Sequence, residues 1–393
     1  MRRALSFSVL SLVLLAACGG GSGSKQNPDQ PVTSGIAKRA LVSNGFVSGV
    51  LGASGAIEII DAATDRFGGR ISGVAADVSR MLLTPDKRQT LIYEPGGRQY
   101  VVLDNATETL VARVPDNSSL PDFADDFVVL PDNKTLFTAV RNAPVSGQPG
   151  GAVLVLDLGA KTVSATIPVP HVRRLVLSKN GAKLLAFADD SNSMWVIDTA
   201  AKTATRVDGF DRPTWGVFSG DDAKAFILSC GAECGGSAAS VTVLDLATNT
   251  LGAPIAVSGA TVGLLDSSNL YVAGNGPGGG KLDVINTVTM TVSKSGLAIG
   301  DGFHHAMTLA SGKLFIAART CSTGCLSIVD TSAQSAIVSS PAGDVTGMAP
   351  ITGRAVVYVT EGGELVIYDT NTGKPQATQV DIVGKANGVV FVD

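Results

Sequence analysis

The chain has 393 residues, a net charge of −4, 16% charged and 5% aromatic side chains. The length allows a large core, and a charge content below the usual quarter fits many strands buried on both faces. No extended basic stretch is present, which leaves nucleic-acid binding without electrostatic support.

Met1-Arg2-Arg3 is a basic start, and residues 5–17 form an apolar stretch ending in small residues. That stretch is shorter than the roughly 20 apolar residues needed to span a bilayer. Leu15-Ala16-Ala17-Cys18-Gly19-Gly20 closes it and resembles the lipobox of bacterial lipoproteins. The resemblance implies a signal peptide over residues 1–17, cleavage before Cys18, diacylation of its thiol (palmitate is the usual chain type) and acylation of the new amino group. Each buried methylene adds about 0.8 kcal/mol, so three chains would hold firmly to a membrane. An ordinary signal peptide with an incidental Cys is the alternative. Residue 19 is Gly, not Asp, so in a Gram-negative cell the resemblance implies the outer membrane. The expected location is the bacterial cell envelope, lipid-anchored, on the outer membrane or in the periplasm. Residues 18–36 carry Gly-Gly-Gly-Ser-Gly-Ser and two prolines. They lack the apolar content to fold and read as a flexible tether.

Residues 37–393 are repetitive. An apolar run ending on Asp and passing into a polar turn recurs along the chain, as in Ser193-Met194-Trp195-Val196-Ile197-Asp198-Thr199. The closing Asp or its substitute falls at Asp61, Asp104, Asp157, Asp198, Asp245, Asn286, Asp330 and Asp369, at spacings of 43, 53, 41, 47, 41, 44 and 39. A period of about 40–50 residues with strand-like content predicts a propeller. Each unit reads as four strands. Residues 173–178 are a first strand, Lys179-Asn180-Gly181 a hairpin turn, residues 183–188 a second strand, 194–198 a third and 203–207 a fourth. Pro85-Asp86, Pro131-Asp132-Asn133, Gly220-Asp221-Asp222, Ser311-Gly312 and Thr352-Gly353 occupy the same first turn. The recurring Asp is expected to accept hydrogen bonds from the turn that follows it, and eight copies spread around a ring cannot form one site.

The ends predict how the ring closes. Residues 39–44 match a second strand with no first strand before them, and residues 388–392 match a first strand with no partner after them. The C-terminal strand would complete the first blade and leave no open edge. The predicted fold is therefore all-β: a single propeller of four-stranded blades, with eight blades favoured and seven the alternative. Leu41-Val42-Ser43-Asn44, Tyr358-Val359-Thr360-Glu361 and Leu365-Val366-Ile367-Tyr368-Asp369-Thr370 resemble the YVTN family of β-propeller repeats. The resemblance covers residues 39–393. It implies architecture more than activity, since that group includes lactonase-like and haem-containing propellers as well as surface proteins of unassigned role.

Besides Cys18, four cysteines form two pairs, Cys230–Cys234 and Cys321–Cys325, each between a second and a third strand. In an exported protein they are expected to form two local disulfides. A four-Cys zinc site would need distant blades to converge, and the spacing is wrong for a redox dithiol.

Candidate ligand-binding residues lie where the first strands begin, at the mouth of the central channel. Alignment on the first turn places Ser79, Asp125, Arg173, Thr214, Ala260, His305, Val345 and Asn387 at equivalent positions, with Arg80, Asp126, Arg174, Trp215 and His304 beside them. Carboxylates, guanidinium groups, imidazoles and an indole suit a small anion, a sugar or a peptide end. The plainer alternative is a water-filled channel whose lining pairs with itself, Asp125 and Asp126 with Arg173 and Arg174. Adjacent His304 and His305 would point to opposite faces of a strand and not chelate together. Gluconolactonase-type propellers hold a divalent ion with carboxylate and amide groups from separate blades. Asp126, Asp211 and Asn387 could imitate that, so calcium stays open, although no cofactor is expected. No His-Glu-x-x-His, Gly-x-Ser-x-Gly or Cys-x-x-Cys-His motif occurs. Gly274-Asn275-Gly276-Pro277-Gly278-Gly279 is read as an inter-strand loop. No catalytic residue is assigned. The expected role is a lipid-anchored extracytoplasmic binding or protein-interaction scaffold, attached to the membrane by its lipid, with a protein or small molecule at the channel mouth and no nucleic acid. A lactonase-like hydrolase using mouth carboxylates, with or without a divalent metal, is the alternative, and a structural surface protein a third.

Overall fold

The computed structural model describes residues 33–45, 55–75, 78, 80–188, 190–338, 343–376, 380, 382 and 384–393. Cys18, the signal peptide, the tether up to residue 32 and Ser79 lie outside the described residues.

Eight antiparallel sheets follow one another along the chain. The first strands of blades 2 to 8 are Arg80–Leu83, Ala124–Val129, Val172–Leu177, Pro213–Phe218, Val262–Asp266, Phe303–Ala310 and Val345–Pro350. The first strand of blade 1 is the last strand of the chain, Lys385–Val392, which pairs with Arg39–Gly45. The eight-bladed ring with C-terminal closure is thus present as expected. Blade 5 carries its outer edge as two short pieces, Thr250–Leu251 and Ile255–Ala256. Blade 8 has only Lys374–Pro375 there among the described residues. The only helical segment described is a 3₁₀ turn at Gly231–Cys234.

The recurring Asp sets the turn between the third and fourth strands. Asp198 Oδ1 accepts the amides of Ala200 at 3.1 Å and Ala201 at 2.8 Å. The same bonds form at Asp104, Asp157, Asp245, Asp330 and Asp369. The amide oxygen of Asn286 does the same. The fourth residue after the Asp (Asp65, Glu108, Lys161, Lys202, Asn249, Met290, Gln334 and Gly373) has positive φ in all eight blades, between 50° and 67°. One left-handed residue swings the chain back into the fourth strand, and the carboxylate satisfies amides that the turn would otherwise orphan.

Packing explains why the second and third strands read as unbroken apolar runs. Both of their faces are covered, one by each neighbouring blade. Eight apolar clusters fill the eight seams. One joins Phe137, Val153 and Val155 of blade 3 to Leu175, Leu184 and Trp195 of blade 4. Another joins Ala40, Val42 and Ile60 of blade 1 to Tyr358, Leu365 and Ile367 of blade 8, and so seals the ring. At about 25 cal/mol per Å² of buried apolar surface, these seams dominate the stability. Polar contacts also cross them, such as Tyr100 Oη to Thr138 Oγ1 at 2.6 Å and the two-point pairing of Arg354 with Asp65.

Candidate functional site

The first strands converge on a channel cavity of about 960 Å³ that every blade helps to line. A β-bulge recurs where these strands enter it. In blade 3, Ala124 faces Val140 and Asp126 faces Ala139, which leaves Asp125 as an extra residue. The same slip leaves Arg173, Thr214, His305, Thr346 and Asn387 extra in blades 4, 5, 7, 8 and 1. Five of these are mouth positions given by the repeat alignment. In blade 8 the extra residue is Thr346, one beyond the expected Val345. In a regular strand, neighbours point to opposite faces. Here the bulge re-aims them, so both members of the pairs Asp125/Asp126, Arg173/Arg174, Thr214/Trp215 and His305/Ala306 line the cavity. Blade 6 has no such slip: Val262 pairs directly with Ala273, and Ala260 is buried in a seam.

Some of the mouth residues brace the ring. Asp126 is a brace. Its buried carboxylate accepts the amides of Phe127 at 2.8 Å and Leu175 at 2.9 Å and forms an ion pair with Arg80. It thereby ties blades 2, 3 and 4 together. The expected partner was an Arg of the following blade. The structure instead pairs one carboxylate oxygen of Asp126 with the Arg of the preceding blade, while the other accepts the Leu175 amide of the following blade. Asp125 does lie near Arg173, at 3.8 Å. Protein mass around the channel, with Arg174 and Arg319 adding repulsion, pushes the Arg80 guanidinium down to about 10. Its side chain is still 44% exposed, so it remains cationic at neutral pH.

Arg174 lies over two aromatic rings. Its guanidinium carbon is 5.3 Å from the Trp215 centroid and 5.0 Å from that of Phe303. Such contacts stabilise the cation by about 0.5–2 kcal/mol and hold the guanidinium in one plane. Trp215 both lines the cavity and packs against the two seams flanking blade 6.

The two imidazoles part as expected for neighbours on a strand, and His304 is corrected as a mouth residue. It is fully buried, with Nε2 donating to Gly300 O at 2.9 Å and Nδ1 unpartnered among the described residues. Burial lowers its pKa. His305 lines the cavity and donates Nε2–H to Val345 O at 2.9 Å. A carbonyl only accepts, so the proton sits on Nε2 and Nδ1 is left as an acceptor. Burial first, then repulsion from Arg319 and Arg174, pushes His305 down to about 4. It is neutral at pH 7.

Each CxxxC pair is joined as a disulfide, with Cα–Cα distances of 5.8 Å and 5.5 Å. Both cystine loops are held by an Asp two residues before the first strand of their own blade. Asp211 accepts the amides of Ser237 at 2.7 Å and Ala238 at 3.0 Å. Asp301 accepts those of Ser322 and Thr323, both at 2.9 Å. Asp211 is therefore a loop brace, and the structure does not bring Asp126, Asp211 and Asn387 together as a metal site. Among the described residues, one group of potential metal-ligand atoms lies close enough to share an ion, Cys321, Cys325 and Asp344. Its two sulfurs are bonded to each other.

Three mouth groups escaped the repeat alignment. Phe303 opens the first strand of blade 7. Arg319 closes the second strand of that blade, Lys313–Arg319, where other blades end on residues such as Val140 or Ala188. Glu233 sits in the 3₁₀ turn of the first cystine loop, accepts the backbone and side-chain N–H groups of Asn275 at 2.8 Å and 2.9 Å, and has its pKa raised by burial. A cationic residue ending an otherwise apolar second strand was the available signal for Arg319, since blades 2 and 8 end theirs on the buried acids Glu94 and Glu361. Nothing local marked Glu233.

No family model matches the chain, and no curated protein matches its sequence. Solved structures do share the fold. The dihydro-heme d1 dehydrogenase NirN, solved in complex with DHE, is 15% identical with a TM-score of 0.68, over 92% of this chain and 77% of that one. A functionally unknown protein from Desulfotomaculum acetoxidans DSM 771 is 15% identical with a TM-score of 0.56, over 90% and 98%. Apo AztD from Citrobacter koseri is 10% identical with a TM-score of 0.55, over 90% and 98%. At these identities the likeness is one of fold.

Proposed function

We propose that the chain is a binding scaffold: a YVTN-type propeller, lipid-anchored through Cys18 outside the cytoplasm, whose channel mouth holds its ligand. The observation that carries this reading is the repeated bulge. In four blades it turns two neighbouring side chains into one cavity, and it does so at positions where the blades differ in chemistry. The seams build the ring from apolar units, whereas the bulges present Asp, Arg, Thr and His to the cavity. A rigid scaffold with variable residues at one end suits recognition. A cavity of about 960 Å³ lies at the upper end of the range typical for small-molecule sites. NirN, a protein of the same fold, was solved in complex with DHE, which fits a ring used to hold a ligand.

The mouth carboxylates a hydrolase would need are already engaged. Asp126 serves Arg80 and two amides, Glu233 serves Asn275, and Asp125 sits beside Arg173. The test is to extract the full chain from membranes, identify what stays bound, and assay lactones with and without calcium. A stoichiometric small molecule or protein that is lost in Trp215→Ala, without turnover, supports the scaffold. Lactone hydrolysis that disappears in Asp125→Asn, with the fold intact, overturns it.

A further inference from the structure

We infer that Cys321, Cys325 and Asp344 form a redox-gated site for one thiophilic divalent cation of the zinc class, closed while the two sulfurs are bonded and open once a dithiol has reduced them. The placement of three ligand atoms is the first ground. The two Sγ atoms and a carboxylate oxygen of Asp344 all lie within 4.8 Å of one another. Cys325 Sγ is 3.8 Å from Asp344 Oδ1. A tetrahedral zinc, with bonds of about 2.3 Å to sulfur and about 2.0 Å to oxygen, sets sulfur and oxygen about 3.5 Å apart and the two sulfurs about 3.8 Å apart. Asp344 already stands near the first spacing, and side-chain rotation after the bond breaks supplies the second. Two thiolates and a carboxylate suit zinc over calcium or magnesium. Asp344 is exposed and Cys321 half-buried, so the site has an entry path and water can take the fourth position.

The second ground is that bonds other than the disulfide hold these residues in place. Asp344, just before the first strand of blade 8, accepts the Thr320 amide at 2.7 Å. Asp301 holds the amides of Ser322 and Thr323, and the Ala318 amide donates to Cys325 O at 2.8 Å. None of these bonds involves a sulfur, so the loop and the carboxylate keep their positions when the pair is reduced.

The third ground is the contrast with the other cystine loop. Cys230 and Cys234 have the same spacing, but the acids near them are turned elsewhere. Asp211 holds Ser237 and Ala238, and Glu233 holds Asn275. Among the described residues no acid joins that pair as a third ligand.

Opening the site takes two electrons. A thiolate of the external dithiol attacks Sγ of Cys321, the more accessible sulfur, and Cys325 leaves as a thiolate. The second thiol of the reductant then resolves the mixed disulfide, giving two cysteine thiols and the reductant as a cyclic disulfide. The cation displaces the two thiol protons on binding. An oxidising compartment keeps the site closed, and a bound cation slows re-formation of the bond by holding both sulfurs.

The test uses the full chain in phosphatidylcholine nanodiscs, either oxidised or reduced with dithiothreitol that is then removed without air. It is titrated with cobalt, whose thiolate charge-transfer band reports the ligands, and then with zinc. The reduced chain should take up one equivalent at least a hundredfold more tightly than the oxidised chain, and zinc should displace the cobalt. Asp344→Asn, which keeps both cysteines, should weaken cobalt about tenfold. Cys321→Ser with Cys325→Ser should abolish the band, and Cys230→Ser with Cys234→Ser should leave it unchanged. Zinc should also slow re-oxidation of the reduced chain by oxidised glutathione. A reduced chain that binds neither metal overturns the inference, as does a band that survives loss of Cys321 and Cys325 or an affinity indifferent to Asp344→Asn. Equal binding by the oxidised chain overturns it too, and so does loss of the near-ultraviolet circular dichroism on reduction, because the folded ring is what places Asp344.

Discussion

At the scale of single residues, the mouth separates groups that hold the ring from groups that are presented. Asp126 holds. Replacing it with Ala strands the buried amides of Phe127 and Leu175 and removes the partner of Arg80. The expected loss is about 3 kcal/mol, read as a shift in the denaturant midpoint. Asp125→Ala should change stability by less than about 1 kcal/mol, since its neighbour Arg173 is 3.8 Å away and partly exposed. Equal losses from the two would contradict this division. The histidines give the pH dependence. His305 falls from an ordinary 6.5 to about 4 in the folded ring, and His304 is also lowered. The unfolded chain therefore binds more protons between those values, and stability should be complete above pH 6.5 and decline as pH falls toward 4. His305→Gln should flatten that limb of a stability-against-pH curve. An unchanged slope would show that His305 is not held neutral. The mouth positions were legible because a shared turn numbers the residues, and the bulge falls at a fixed offset from it. The partners were not legible. A one-residue slip such as that at Asp125 decides which way Asp126 points, and no local pattern encodes it.

At the scale of the blade, the hairpin between the third and fourth strands is the unit of construction. Asp198 supplies two amide bonds and an ion pair with Lys183, and Lys202 takes the left-handed conformation at φ 55°. Asp198→Ala should cost about 1 kcal/mol. Lys202→Gly should raise stability by roughly 0.5 kcal/mol, because an exposed side chain gives up strain that Gly does not have, less the entropy Gly loses on folding. Urea melts of the two variants would show shifts of opposite sign. If Lys202→Gly destabilises by more than a few tenths of a kcal/mol, turn strain does not matter here. This element could be read from sequence because Asp, a short polar turn and an apolar run repeat eight times. The divided outer edge of blade 5 could not, since outer strands meet solvent on one side and carry little apolar signal. The residues 250–256 that form it include only a Thr-Leu and an Ile-Ala pair with strand character.

At the scale of the whole molecule, closure matters most. The strand Lys385–Val392 is the first strand of a blade whose other three strands lie over 300 residues away in sequence. Removing residues 385–393 would uncover the edge of Arg39–Gly45 and the seam holding Tyr358 and Ile367. Such a chain should lose its single cooperative unfolding transition and associate through the open edge. A monomer with an unchanged melting curve would contradict closure. The unpaired ends of the sequence made closure predictable, because a half-blade at each end can be completed only by the other. The ligand was not predictable in the same way. The mouth that would hold it is lined by Phe303 and Arg319, cross-strand partners in blade 7, and by Glu233 from the cystine loop of blade 5, which joins them only when the ring is formed. The most direct test of the central claim, that the mouth is where this ring binds, is amide hydrogen exchange of the full chain with and without an extract of its native cell envelope. The account predicts slowed exchange at residues 124–126, 173–175, 214–216 and 303–306, with the outer strands unchanged. Protection confined to the outer strands, or none at the mouth while the extract still binds, would contradict it.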